Sequence, residues 1–438
     1  MRFFDSNYDC YYPGFFSIDM NNSYSLDNML GSRYESELFH EYIHFLQDAT
    51  TTYGISNTNV ILRKIWDVIL YIQNCIKNGQ KSIHLPLTSS CFYNDVATNN
   101  KEFFNFYNQY TENVIVLKES FLIEIREKTI EEYDSTSLED ININFYELTF
   151  KNGYKCNFGA FAIYEGMAHC LQKIIYKKSI NEKRNPYDLA YIIWANCLPN
   201  YKDDYKSFLD LCEFSLMFYN PAEVFIKTID DMRKIDYKLG ENFFSYLLQN
   251  FKIEQNNVVK DLKTLFDEEY KRCYLVINEI FKSDIYSQYR EWLLNVLNKG
   301  YKDRIEYKPI FSSLLLLQNY KSEERTEWLV RVFQDFGYPP VRNADGIFFF
   351  KNAKDINTSI SFLSAQAVYS VYHYLHDNEF LGCNLKDTCI EINNCEEFGN
   401  LDCEKNPLKL TGTEKLLCPF SIVWKTWGFD KINFERGN

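Results

Sequence analysis

The chain of 438 residues has no long apolar run. Nothing in it approaches the roughly 18 uncharged apolar residues that a membrane-spanning helix needs. The longest candidate, residues 310–317, has the length of a core helix. A basic excess is missing too: 60 Asp and Glu outnumber 47 Lys and Arg, for a net charge of −13. That balance argues against general affinity for nucleic-acid backbones or anionic membrane surfaces. Arg2 and Asp5 precede any apolar stretch, so no secretory leader is expected and a cytoplasmic location is. There is no C-x-x-C pair, which removes the common zinc-ribbon, thioredoxin and ferredoxin spacings. Histidine is scarce, with six in the whole chain.

An apolar fraction of 46% is ordinary for a protein with a sizeable core. Periodicity predicts a mainly α protein with a small β-sheet (α+β), and a largely helical C-terminal half. A helix is expected from Ser32, with Ser32 and Glu35 as an S-x-x-E capping box. Another is expected at about 60–75. Residues 81–90 read as an edge strand around Pro86, and residues 143–158 as a strand, a turn and a return strand. A long helix follows at about 159–178, then helical patterns over 186–250, 256–300, 311–336 and 360–376. The expected organisation is a catalytic unit at 1–255 with an insertion at about 55–155, a helical unit at 256–377 and a cysteine-rich tail at 378–438.

Two of the six histidines stand four apart in His40-Glu41-Tyr42-Ile43-His44. On a helix, positions i and i+4 share a face, so both imidazoles can grip one metal ion. Glu41 lies beside them, where a carboxylate can act as general base without being a ligand. A catalytic zinc takes three protein ligands and keeps one position open. The best supplier of the third is Glu165, mid-helix among Phe161, Ala162, Met167 and Ala168, where an unpartnered carboxylate would be costly. Gly166 beside it implies a close approach to the first helix or to substrate.

The His40-Glu41…His44 segment resembles the zincin metallopeptidases. Glu165-Gly166-Met167-Ala168 is similar to the E-G-x-A segment that carries the third ligand in several glutamate-zincin families, aminopeptidases among them. The likeness covers about 25 residues in two segments, around His40–His44 and Glu165–Ala168. It implies zincin-like active-site helices in the N-terminal half, one catalytic Zn2+ held by His40, His44 and Glu165, and Glu41 as base. Two departures stand out. The gap of 120 residues between His44 and Glu165 is long, and thermolysin-like enzymes carry an aspartate where this chain has His169. His169 could be a neighbour that orients a ligand, a donor to the transition state, or itself the third ligand.

Weaker candidates are Glu37, Asp48 as acceptor for the free N–H of His44, and Tyr164, Tyr187, Tyr191 or Arg233 as oxyanion donors. His84 and the pair His373 and His376 read as structural. The tail brings Cys383, Cys389, Cys395, Cys403 and Cys418 within 36 residues. A second, structural zinc held by Cys383, Cys389, Cys395 and Cys403 competes there with disulfides and unlinked thiols. The expected function is a zinc metallopeptidase acting on a protein or peptide, with room for a regulatory partner. The alternatives are a zinc hydrolase of a small-molecule amide or ester and a metal-stabilised scaffold without catalysis.

Overall fold

In the computed structural model of the protein, residues 9–87, 114–117, 121–134, 139–177, 183–235, 242–250, 254–255, 258–259, 261–306, 308–351, 356–377, 383–393, 408 and 418–436 are described. The fold is mainly helical with small sheets. It opens with strands β1 (Cys10–Tyr12) and β2 (Ser17–Asp19), an antiparallel pair between which Gly14 turns the chain at φ +89°. A single turn, α1 (Leu26–Met29), leads to α2 (Glu35–Thr50), which carries the histidine pair.

The expected capping box does not form. Tyr34 is the N-cap and has no side-chain bond to the helix. Ser32 Oγ instead donates to the Met29 carbonyl and accepts the Tyr34 N–H. Glu35, 1% exposed, turns its carboxylate back to the Gly31 N–H at 2.7 Å, and it also accepts from Tyr176, Arg325 and Thr326. Tertiary partners outbid the local motif, since a buried carboxylate needs several donors.

Thr51 ends α2 in an extended conformation and caps α3 (Thr52–Lys77) through the Gly54 N–H. Next come β3 (Ser82–Leu85), β4 (Ile115–Leu117) and a long hairpin, β5 (Leu122–Asp134) and β6 (Glu139–Phe150), to which β7 (Lys155–Phe158) adds antiparallel. The strand, turn and return strand over 143–158 are therefore present. The partner strand β5 escapes the periodicity because charged residues fall on both of its faces, Glu124, Arg126 and Lys128 on one and Glu127 on the other.

Helix α4 (Ala160–Ile175) carries Glu165, and β8 (Lys183–Asn185) pairs with β4. The following helical stretch divides into α5 (Leu189–Cys197), α6 (Tyr205–Ser215), α7 (Pro221–Ile235) and α8 (Phe243–Asn250). After the two-residue strands β9 (Glu254–Gln255) and β10 (Val258–Val259) come α9 (Leu262–Ile280), α10 (Ser287–Ile305) and α11 (Ser322–Phe336). Strands β11 (Val341–Arg342) and β12 (Phe348–Phe349), helices α12 (Ile356–His376), α13 (Lys386–Asn393) and α14 (Pro419–Thr426), and strand β13 (Asn433–Arg436) complete the order.

Two long-range pairings tie the ends of this order together. Strand β11 lies parallel to β2, giving a sheet of order β1-β2-β11-β12 with β1 at its edge against α2. Strand β13 runs parallel to β3. Around α2 pack α3, α4 and α10, so helices from both sides of residue 255 bury the same element in one apolar core. Cys383 is half-buried, and Cys389 and Cys418 are buried. Cys395 and Cys403 lie outside the described residues. No described helix is long and apolar enough to cross a membrane.

Candidate metal centre

Every residue of α2 except Glu37 is buried, so the helix has no solvent face to hold its polar side chains. His40, Glu41, His44, Gln47 and Asp48 follow helical spacing and form one polar stripe inside the core. Each must find a partner there or cost free energy. The stripe faces α4, whose Glu165 side chain is 13% exposed.

Glu165 Oε2 lies 3.2 Å from His40 Nε2 and 3.3 Å from His44 Nε2, and the two Nε2 atoms are 3.2 Å apart. Among the described residues this is the group that could hold a metal ion. Ligands at about 2.05 Å in a tetrahedral shell stand about 3.3 Å from one another, so the triangle has the edges that zinc requires. Two imidazole nitrogens and one carboxylate oxygen are also a catalytic-zinc donor set. Without a cation or a proton between them, facing lone pairs on the two Nε2 atoms would repel.

The charges answer to this geometry. Burial opposes charge on His44, but the Glu165 carboxylate, helped by Glu41, raises its pKa to about 9. Burial lowers the pKa of His40 despite its bond to Glu165. Glu165 itself is held well below the usual carboxylate range, because His44 and His40 outweigh the penalty of burial.

Glu41 sits beside the triangle, 7% exposed. Burial, reinforced by Glu165, raises its pKa to about 8, while His44 and the Tyr11 backbone N–H pull the other way. That N–H comes from β1, the strand at the sheet edge against α2.

The free N–H of His44 goes to Gln47, not Asp48: Nδ1 is 2.7 Å from Gln47 Oε1. Asp48 is fully buried and accepts from the Tyr164 hydroxyl at 3.2 Å. Sequence reasoning missed Gln47, although position i+3 shares the helix face and carries the needed acceptor. His169 lies outside the triangle, its ring centroid 6.5 Å from that of His40 and 5.2 Å from that of Tyr187. It is 3% exposed, and burial pushes its pKa down to about 3, so it is a neutral imidazole. The Tyr187 ring is 6.0 Å from the His40 ring, which places it at the cluster. Glu37 is half-buried one turn before Glu41 and favours charge on His40.

The other candidates are spent elsewhere. Tyr191 donates to the Lys202 carbonyl, and exposed Arg233 pairs with Asp230. His84 is exposed beside Glu435. His373 bonds Asp377, and His376 bonds the Tyr372 carbonyl. Among the described residues, the close approach at Gly166 is not to α2. A Cβ there would stand 3.3 Å from Ala190 Cβ and 3.5 Å from the Tyr187 carbonyl, so the glycine admits α5 and the Tyr187 segment against α4. Comparison with protein-family models, with curated proteins and with solved structures gave no match.

Proposed function

We propose that this protein is a zinc-dependent metallopeptidase that hydrolyses a peptide bond in a protein or peptide substrate, with Glu41 as general base. The observation that carries the reading is the triangle of His40 Nε2, His44 Nε2 and Glu165 Oε2, with edges of 3.2–3.3 Å on two buried helices. A zinc ion bound there would supply a Lewis acid and a water acidified to a pKa of about 7. His40, His44 and Glu165 would hold the ion, each from a largely buried position.

Glu41 is buried beside the cluster, close enough for His44 and Glu165 to shift its carboxyl in opposite directions. From that position it takes a proton from the attacking water and returns it to the leaving amine. Tyr187 and His169 lie on the His40 side, where a hydroxyl or imidazole N–H can donate to the developing oxyanion. A pure scaffold has no use for a buried carboxylate at position 41.

The test pairs metal analysis with a peptide-library screen. Expected are close to one equivalent of zinc, its loss in His40→Ala and Glu165→Ala, and full zinc without turnover in Glu41→Gln. Zinc binding that survives Glu165→Ala would refute the ligand set. Turnover that survives Glu41→Gln would refute its role as base.

A further inference from the structure

Gln47, 0% exposed, takes no part in the chemistry above yet touches both helices that build the cluster. Its Nε2 donates to the Tyr164 backbone carbonyl at 2.9 Å, and its Oε1 lies 2.7 Å from His44 Nδ1. A backbone carbonyl can only accept, so the NH2 end of the amide must face Tyr164. The carbonyl end then faces His44, and only an N–H can satisfy it. Nδ1 therefore carries hydrogen, and in the neutral ring the lone pair sits on Nε2, pointing at the cluster.

Tyr164 closes the arrangement from the other side. Its hydroxyl lies 3.1 Å from the His44 carbonyl and 3.2 Å from Asp48 Oδ1. Its ring stacks on the His44 imidazole with centroids 4.3 Å apart and planes 4° apart. Tyr164 immediately precedes Glu165. The two side chains thus form a reciprocal clamp, in which each residue bonds the other's helix. By contrast, no described group bonds the buried Nδ1 of His40.

We propose that Gln47 is the positioning residue of the metal centre: it sets the tautomer and ring orientation of His44, and through the Tyr164 carbonyl it keeps Glu165 in register with it. The proposal rests on the metal-site reading and adds an asymmetry to it. His44 is the ligand locked by the protein, and it is locked by a neutral amide in place of the carboxylate often found in that role. The amide leaves the site with one fewer negative charge.

The experiment uses the full-length, metal-free protein and its Gln47→Leu and Gln47→Glu variants. Zinc affinity is measured by chelator competition, and the side-chain nitrogens of His44 by 15N NMR at a pH where the ring is neutral. Gln47→Leu should bind zinc about 10–100-fold more weakly, the usual consequence of removing a partner of a metal-bound histidine. Gln47→Glu keeps an acceptor for Nδ1–H but gives up the donor to the Tyr164 carbonyl, so it should recover part of that loss, a rescue that packing alone would not produce. Wild type should show His44 protonated at Nδ1, and Gln47→Leu a mixture of tautomers.

Unchanged affinity in a folded Gln47→Leu, or a Gln47→Glu as weak as Gln47→Leu, overturns the proposal. If Gln47→Leu does not fold, the wild-type tautomer still decides: hydrogen on Nε2 overturns it, and hydrogen on Nδ1 supports it. A wild type that binds no zinc, yet has hydrogen on Nδ1, refutes the metal reading and leaves the clamp standing.

Discussion

Replacing Gly300 by alanine sets two known effects against each other, and the structure says which wins. Gly300 is buried in α10, where that helix crosses the end of α2. In an exposed helix the change would stabilise by about 1 kcal/mol, because alanine is the better helix former. Here the new Cβ would fall 2.0 Å from the Ala49 carbonyl oxygen and 2.9 Å from its carbon. Ordinary contact needs more than 3 Å, and the obstacle is helix backbone, which cannot rotate away.

The two helices must therefore part by about 1 Å, loosening the packing between them at a cost of about 1–3 kcal/mol. Parting also stretches the 2.7 Å bond from Arg304 Nε to the Thr50 carbonyl, worth about another 1 kcal/mol. Net destabilisation of about 2 kcal/mol is expected. Urea unfolding followed by far-UV circular dichroism reads it as a lower midpoint at unchanged slope. A midpoint raised by the amount expected for an exposed glycine would refute the close approach, and with it the packing that holds α2 in place.

Gly166→Ala meets softer neighbours at 3.3 and 3.5 Å, so its stability should stay within about 1 kcal/mol of wild type in the same assay. Glu213 is fully buried and accepts from Arg304 Nη1 at 2.7 Å and from the Ile310 and Phe311 N–H groups. Glu213→Leu strands the Arg304 charge and should cost about 3–5 kcal/mol, while the double variant Glu213→Leu, Arg304→Met should recover much of that loss. Burial, despite Lys206 at 3.1 Å, raises the pKa of Asp210 to about 6. The folded state then holds its proton longer than the unfolded one, so stability is full below about pH 4 and falls as pH rises towards 6. The loss is up to about 3 kcal/mol, and Asp210→Asn should flatten it in urea titrations across that range.

What could be read from the sequence follows the range of the interactions involved. The helical character of residues 35–50 and 160–175 comes from spacing within each segment, and a motif of five residues is local by construction. The approach of Glu165 to the histidine pair was legible only through the chemical cost of a carboxylate among apolar neighbours. Pairing of β2 with β11 spans more than 300 residues, and two-residue strands carry no periodicity to announce it. The capping box failed because Glu35 answers to Arg325 and Thr326, which no local window contains. Gln47 lies on the same helix face as the motif. Its amide supplies the acceptor that a carboxylate would, without a charge to mark it.

The polar stripe of α2 makes the strongest physical case that the cluster is built for a ligand. A helix buried on all sides would be cheaper with apolar residues at positions 40, 41, 44, 47 and 48. The protein instead carries all five polar groups and ties the outer ones to α4: Gln47 is bonded by His44 and Tyr164, and Asp48 Oδ1 accepts from the Tyr164 hydroxyl, while Asp48 Oδ2 has no described partner. Those bonds fix the geometry of the inner ones, where two imidazoles and a carboxylate converge on a single point. Stability alone accounts for a satisfied network, but it gives no reason to aim three metal-binding atoms at one another, 3.2–3.3 Å apart. If the convergence were only structural, replacing His40, His44 and Glu165 together by apolar residues of similar size should leave the fold as stable as wild type or more so. If it exists for a cation, zinc at 100 times its dissociation constant should stabilise the wild type by about 2.7 kcal/mol and leave that triple variant unmoved.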